Sequence, residues 1–466
     1  MQKARVPLTN FQFGEVSPSL ISRTDTRVYN NSAQKIENFF LRAEGGVIKR
    51  AGLKKIYEFD TSIDTAKVQQ HRLVPFIFSD DERYIVSLEH QKIRVFQIDT
   101  SNNVTLAATL TADSSGATIP ITNLNMHEVT YAQAGDVMFI AHQTFMVRKL
   151  VRTGLTSFQM ETKTFDTQSA GAKIYQPYFQ FQDLGVTLDP SASSGNGITL
   201  TTSEPYWDLT GSQSGGNYPD SKHVGLTIKY HDQEITITSV QSATQATGNA
   251  LATLKKKLKV DSFRTDNGVA TVTVTLVNHG FSACDAFVVS NANTVGGIAA
   301  SNLNGSRTVL EVIDDNVFTF NAAANANDSV AGGGTPFLET HAPATNWSEQ
   351  SYSVLRGFPG AVTFHQNRLW YAGTIAQPDG LWASKSNQFF NFDIGDGSDN
   401  DSIDIRAAIG EVNTIKHLVS NRDLQAFTST DEFIVPAFVE KPTTPTNATI
   451  KRQTPFGSSF VRPYVF

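Results

Sequence analysis

Gly357-Phe-Pro-Gly-Ala-Val-Thr-Phe-His-Gln-Asn-Arg-Leu-Trp-Tyr-Ala-Gly-Thr374 is the stretch whose reading decides the fold. Gly357 and Pro359 open it with a turn. Val362 to Phe364 and Leu369 to Tyr371 are β-prone, and Gly373 closes it, so the segment reads as turn, strand, tight turn, strand. Leu381-Trp-Ala-Ser-Lys-Ser386 and Phe389-Phe-Asn-Phe392 follow. The aromatics between Phe358 and Trp370 read as core; an exposed binding surface is the alternative. A buried or stacked Arg368 beside Leu369 and Trp370 needs a carboxylate partner.

Working outward, the same texture recurs. Val74-Pro-Phe-Ile-Phe78 leads through the acidic turn Asp80-Asp81-Glu82 to Tyr84-Ile-Val-Ser-Leu88 and on to Ile93-Arg-Val-Phe-Gln-Ile98. Asp136 to His142 and Arg148 to Leu150 continue it. Short strands broken by turns suggest propeller blades, a sandwich or a barrel. From Trp347 the texture returns after an interruption. Ile403 to Ile409, Asn413 to Val419, Asp423 to Ser429 and Asp431 to Val435 read as further strands.

The interruption has its own character. Ser191 to Gly197 and Gly211 to Asn217 are loop-like. Leu226 to Tyr230 and Glu234 to Thr238 alternate as a hairpin joined at His231-Asp-Gln233. Leu251, Leu254 and Leu258 fall at helical spacing and predict a short amphipathic helix. Ala270 to Val277 is the clearest period-two strand, and Ala322 to Gly334 reads as a flexible tail. The division that follows is 1–60, an extended N-terminal arm; 61–172, the core's first part; 173–260, an inserted β-rich domain; 261–345, a second inserted β module; and 346–466, the core's second part. Within the arm, Ser32 is placed to cap a short helix with Ile36, Phe39 and Phe40 on one face. Gly45-Gly46 ends it, and Val47 to Arg50 restart as a strand.

Composition agrees with a β-rich globular chain. Its 466 residues allow roughly two to four domains. There are 31 Phe and 12 Tyr, and 18% of residues are charged, which leans to strand and away from disorder. A net charge of −6 disfavours tight gripping of phosphate. The single cysteine, Cys284, permits no intrachain disulfide and no cysteine-based metal site, which fits folding in a cytosol. Met1-Gln-Lys-Ala-Arg-Val-Pro7 has no apolar run behind its charges, so no signal peptide is expected, and no run approaches a membrane span.

The pattern Gly-aromatic-Pro, Val-x-Phe, x-Gln-x-Arg-Leu-aromatic-aromatic-Ala-Gly-Thr, Trp-x-Ser is carried here by Gly357, Pro359, Arg368, Trp370, Trp382 and Ser384. It resembles the nozzle proteins, or tail tubular protein B, of short-tailed (podovirus-type) bacteriophages. Asn38-Phe-Phe40, Gly45-Gly46 and Lys49-Arg-Ala-Gly52 resemble the same family, with Ala51 where proline is usual and hence a looser turn. His279-Gly-Phe281, Gly296-Gly297, Asn304-Gly305 and Val317-Phe-Thr-Phe320 resemble a small β module of many phage tail proteins. Phe456-Gly-Ser-Ser-Phe460 resembles a run that the family normally continues well past. On that likeness the chain is short or continues beyond Phe466, and its propeller lacks blades.

The resemblance implies an all-β fold: an irregular β-propeller-like core domain, interrupted by inserted small β domains, with few short helices. It implies a structural, non-enzymatic virion protein, assembled in the host bacterial cytoplasm and placed at the phage tail. Six copies would form a ring below the adaptor, with tail fibre or spike proteins attached. Double-stranded DNA would pass through without specific binding, because a neutral or acidic lumen repels phosphate. Segment 1–30 is then the candidate for adaptor docking. The rival readings are a tail-borne host-receptor or glycan-binding protein and a tail-associated hydrolase.

Candidate chemistry is sparse. Asp393, Asp396, Asp399, Asp401 and Asp404 are dense enough to suit Ca²⁺, with Asp399 and Asp401 as first ligands to test. The EF-hand frame fails: with Asp396 at position one, Asp401 takes the glycine position six and Ala407 the glutamate position twelve. A solvated turn with Asx caps is the other reading. No His-Glu-x-x-His or Gly-x-Ser-x-Gly occurs, and Gly211-Ser-Gln-Ser-Gly215 has Gln213 at the nucleophile position. Gly332-Gly-Gly334 lacks the Lys-Ser/Thr of a phosphate loop and reads as linker. Lys255-Lys-Lys-Leu-Lys259 reads as a solvated helix face, with contact to DNA or an acidic neighbour as the alternative.

Overall fold

Alternation at period two, rather than any helical stripe, organises the protein. The computed structural model describes residues 10–59, 70–162, 164–168, 171–395, 397–407, 413–436 and 442–464. Strand makes up 42% and helix 3%, so the fold is all-β. Two compact units divide the chain, residues 1–67 and 68–466.

The second unit contains four antiparallel four-stranded sheets, each a meander of consecutive strands, in a propeller-like arrangement. The first blade runs Arg72–Ile77, Arg83–Glu89, Lys92–Ile98 and Val104–Leu110. The second runs Thr130–Ala134, Val137–His142, Phe145–Gly154 and Ser157–Thr162. The third is Ala361–His365, Arg368–Ala372, Gly380–Ala383 and Ile403–Arg406. The fourth is Ile415–Ser420, Leu424–Thr428, Glu432–Val435 and Lys451–Thr454.

Core packing explains why the third blade reads so strongly in the sequence. All five residues of Arg368–Ala372 are buried. Successive side chains point to opposite faces. Leu369 and Tyr371 join Phe139, Ala141, Trp382 and Phe392 in the core between the second and third blades. Trp370 and Ala372 join Leu381, Ile415, Leu424 and Phe433 in the core between the third and fourth. A third core, with Phe76, Val86, Ile93, Met138 and Leu150, ties the first blade to the second. The first strands of adjoining blades are also stitched: Thr130 Oγ1 donates to Gly360 O at 2.8 Å, and His365 Nδ1 lies 2.9 Å from Ser420 Oγ. The Arg462 guanidinium sits 4.1 Å above the Tyr131 ring.

Two larger sheets intervene between the second and third blades. A seven-stranded sheet runs in the order Tyr178–Phe179, Trp347–Gln350, Thr227–Tyr230, Gln233–Ser242, Gln245–Ala250, Ile198–Thr202, Leu188–Pro190. An eight-stranded sheet takes in the strands from Lys255–Lys257 to Phe337–Glu339 around a core with Phe263, Phe287, Phe318 and Phe320.

Several sequence expectations need correction. The core's return at 346 comes a few residues early, because Trp347–Gln350 completes the inserted seven-stranded sheet, with Trp347 in its core. No helix spans Leu251 to Leu258. Leu254 and Leu258 are both buried, but on either side of the strand Lys255–Lys257. A spacing of four fits one face of a strand as well as one face of a helix. Lys255 to Lys259 is therefore not a helix face. Ala322 to Gly334 is not a loose tail: Ala326 is buried, and Ala331–Gly332 pairs with Phe263–Thr265. Of the strand expected over Ile403 to Ile409, Ile403–Arg406 forms, and Ile409 lies outside the described residues.

In the first unit the short helix is Arg27–Asn30, capped by Thr26 rather than Ser32. Thr26 Oγ1 accepts from Tyr29 N at 3.3 Å. Phe39–Leu41 is a strand paired with Val47–Lys49, since two adjacent aromatics before a Gly45 turn at φ +93° favour a hairpin. No helix of the described residues is long and apolar enough to cross a membrane.

Candidate functional site

The signature hairpin turns at Gln366 and Asn367, with φ of 49° and 57°. Two left-handed residues match the right-handed twist of the flanking strands, as a two-residue hairpin requires. The turn delivers Arg368, which is 2% exposed, into the end of the blade. Its guanidinium donates to three backbone carbonyls: Ser384 O at 2.7 Å, Asp401 O at 2.5 Å and Asp399 O at 2.7 Å. The carboxylate partner expected from the sequence is thus replaced by carbonyls. Burial pulls the guanidinium's pKa down, with Asp401 opposing. Ser384 Oγ accepts from Leu369 N and donates to Lys385 O, both at 3.0 Å. Trp370 Nε1 donates to His365 O at 3.2 Å, and Trp382 is buried on the neighbouring strand. Gly357 exchanges backbone bonds with Ser353, and Pro359 is buried. The six residues of the pattern are therefore all buried, in the third blade or in the turn that leads into it.

Arg368 also holds the acidic loop. Asp401 is buried; its carboxylate accepts from Lys385 Nζ at 2.7 Å, Ser398 N at 2.8 Å and Gly397 N at 3.1 Å. Burial pushes its pKa up, but those donors outweigh it and hold the group below the usual range. Asp399 lends only its carbonyl and is exposed. Asp393 pairs with Lys173 at 2.8 Å. Asp404 faces Trp382 in register, and burial pushes it up to about 6, against Arg406 and Trp382. Asp396 lies outside the described residues. Among the described residues no three His, Cys, Asp or Glu side chains are placed to share a metal ion.

Spacing gave no hint of a buried hub in the inserted sheet. Glu349, fully buried, accepts from Tyr206 OH at 2.5 Å and from Arg356 Nη2 at 2.7 Å. His223 Nε2 lies 3.5 Å away, and its Nδ1 accepts from Asp208 N at 2.8 Å. Arg356 also stacks 4.2 Å over Phe181. Burial and the Glu349 charge push the Tyr206 phenol well up, so it remains a donor rather than a phenolate nucleophile. Burial raises Glu349, but His223 and Arg356 more than compensate and keep it ionised. Chemically, this is a buried ionic lock around Glu349.

The first unit carries a different feature. Among its described residues Val16 is the one buried apolar side chain. Phe39, Phe40, Leu41, Val47 and Ile48 are all exposed, so apolar side chains stand on both faces of the small hairpin. Leu53 is 88% exposed and Phe13 47%. A two-stranded hairpin with no core is marginal in water.

No family model matches the chain, and no curated protein does. Among solved structures, the phage phi92 endosialidase is similar over 70% of this chain at 11% identity and a TM-score of 0.17. The chain spans 57% of that protein's length. Saccharomyces cerevisiae Sqt1 is similar over 84% of this chain and 87% of its own, at 8% identity and a TM-score of 0.18. A fructofuranosidase from Schwanniomyces occidentalis in complex with fructosylnystose matches 63% of this chain and 71% of its own, at 12% identity and a TM-score of 0.14. Scores this low give no basis for carrying any activity to this chain.

Proposed function

We propose that this chain is a structural subunit of a short-tailed bacteriophage tail, the nozzle, repeated about an axis to form a DNA-ejection channel. The observation that carries the assembly reading is the N-terminal unit. The apolar side chains of its hairpin, Phe39, Phe40, Leu41, Val47 and Ile48, stay 39–61% exposed. Exposed contiguous apolar surface of that kind marks a protein interface. A ring subunit meets its neighbour through two different patches, and an arm that orders against a partner suits such a contact. The family resemblance of Gly357, Pro359, Arg368, Trp370, Trp382 and Ser384 supplies the tail identity.

The subunit works as a shell rather than as an enzyme. The buried ionic groups Glu349 and Arg368 are engaged in holding strands together. DNA passes without specific binding, kept off the wall by a chain of net charge −6. The adaptor and the fibre or spike proteins are its partners, with segment 1–30 meeting the adaptor. Deleting residues 1–30 tests this: circular dichroism should show an intact β-rich fold, and the truncated protein should fail to enter particles. Normal incorporation of the truncated protein would overturn the docking role.

A further inference from the structure

The basic run singled out in the sequence has a place in the fold that the shell role does not use. Lys256, Lys257 and Lys259 line a groove of about 960 Å³ together with Lys173, Lys229 and Lys385. The inserted sheets form one wall and the acidic loop of the third blade the other. Among the described residues six lysines stand against three lining aspartates, in a chain whose overall charge is negative. Each aspartate is already neutralised: Asp393 by Lys173 at 2.8 Å, Asp232 by Lys256 at 3.2 Å and Asp401 by Lys385 at 2.7 Å.

Lys229 is outside these three pairs. It is half-buried, and its ammonium makes no hydrogen bond or ion pair with any described residue; its one aromatic contact is the Tyr178 ring at 5.7 Å. Burial, with Lys173 close by, pulls its pKa down, and the carboxylates of Asp232, Asp393 and Glu234 oppose that only in part. An incoming anion would relieve both effects. Lys259 is likewise without an ion-pair partner among the described residues, and exposed at the groove's rim.

We propose that this groove binds an acidic oligosaccharide. Carboxylates on the sugar meet Lys229 and Lys259, while its hydroxyls meet the neutral hydrogen-bonding side chains Gln168, Gln233, Thr335 and Ser398, which also line the groove. Phe337, half-buried beside them with the Lys255 ammonium 4.9 Å from its ring centre, adds an aromatic edge to the lining. The volume suits a ligand of a few rings. It is too small to seat a duplex, whose recognition needs a surface tracking the phosphates. The proposal does not rest on the ring reading and survives its failure.

The test is calorimetric titration of the full chain with tetragalacturonate, with maltotetraose and a short single-stranded DNA as comparators. Tetragalacturonate should bind, more weakly as salt rises, and maltotetraose should not. Lys229→Gln and, separately, Lys259→Gln should each weaken binding by about tenfold or more. Lys451→Gln, on an exposed outer strand of the fourth blade, should leave it unchanged. Lys259→Gln keeps the test decisive if Lys229→Gln does not fold. No binding by the unaltered chain, binding by both groove variants as tight as that of the unaltered chain, or DNA binding as tightly as the acidic sugar would overturn the proposal.

Discussion

The guanidinium of Arg368 donates to the backbone carbonyl of Asp399 at 2.7 Å, so the signature hairpin grips the acidic loop by its main chain and not by its charge. With the buried bonds to Ser384 O and Asp401 O, one cation serves three carbonyls. Arg368→Ala should therefore cost about 3 kcal/mol or more, since buried acceptors are left unpaired. Arg368→Lys should recover less than half, because an ammonium cannot reproduce the planar fork. Urea unfolding midpoints check both; a change under about 1 kcal/mol would show the site to be solvated.

Gly357 has φ +82°, and a Cβ there would come 2.7 Å from the backbone nitrogen of Ile375. Gly357→Ala combines left-handed strain with a backbone collision. It should lower stability by about 2 kcal/mol, where a freely exposed glycine would cost under about 1. Thermal unfolding compares it with Gly116→Ala, a position of the same handedness (φ +85°) with open space around it.

His231 turns the hairpin Thr227–Tyr230 to Gln233–Ser242 at φ +51°, buried, with neither ring nitrogen bonded to a described residue. Burial, aided by Lys256, pulls its pKa from 6.5 to about 4. The folded state thus resists protonation that the unfolded chain accepts. The contribution is fully present above pH 6.5 and is lost as pH falls toward 4. His231→Asn, which tolerates the left-handed turn, should be relatively more stable than the parent by about 2 kcal/mol near the lower pH and show little difference at pH 8. Parallel melts across that range give the answer; identical pH profiles would show that His231 is hydrated.

Asp401 organises its loop through Lys385, Gly397 and Ser398 rather than offering free oxygens. Asp401→Asn should lower the melting temperature by a few degrees, corresponding to about 1 kcal/mol. Calcium added to the unaltered protein, or chelator, should leave its melting temperature unchanged. A calcium-dependent rise that Asp401→Asn abolishes would restore the cation reading.

How much the sequence disclosed follows from the length scale of each signal. The third blade was legible because its strands are short, apolar and bounded by Gly357, Pro359 and Gly373, so local propensity and tertiary packing agree. The residues 251–258 misled because Leu254 and Leu258 satisfy both periods, and only the sheets on either side choose between them. Arg368 was visible as a buried cation, but its partners are main-chain oxygens, which carry no sequence signature. The Glu349 hub joins residues 206, 223, 349 and 356, brought together by sheet pairing that no spacing encodes. The lysine groove was half legible: Lys255 to Lys259 stood out as a run, whereas Lys173, Lys229 and Lys385 arrive from three other segments.

Averaged images of tails from intact particles, classified without imposed symmetry, weigh the central idea most directly. The nozzle account predicts six copies of this chain around an open axial hole, with Phe39 to Leu41 covered by a neighbouring subunit. One copy per particle, or a closed mass with no passage, would contradict it.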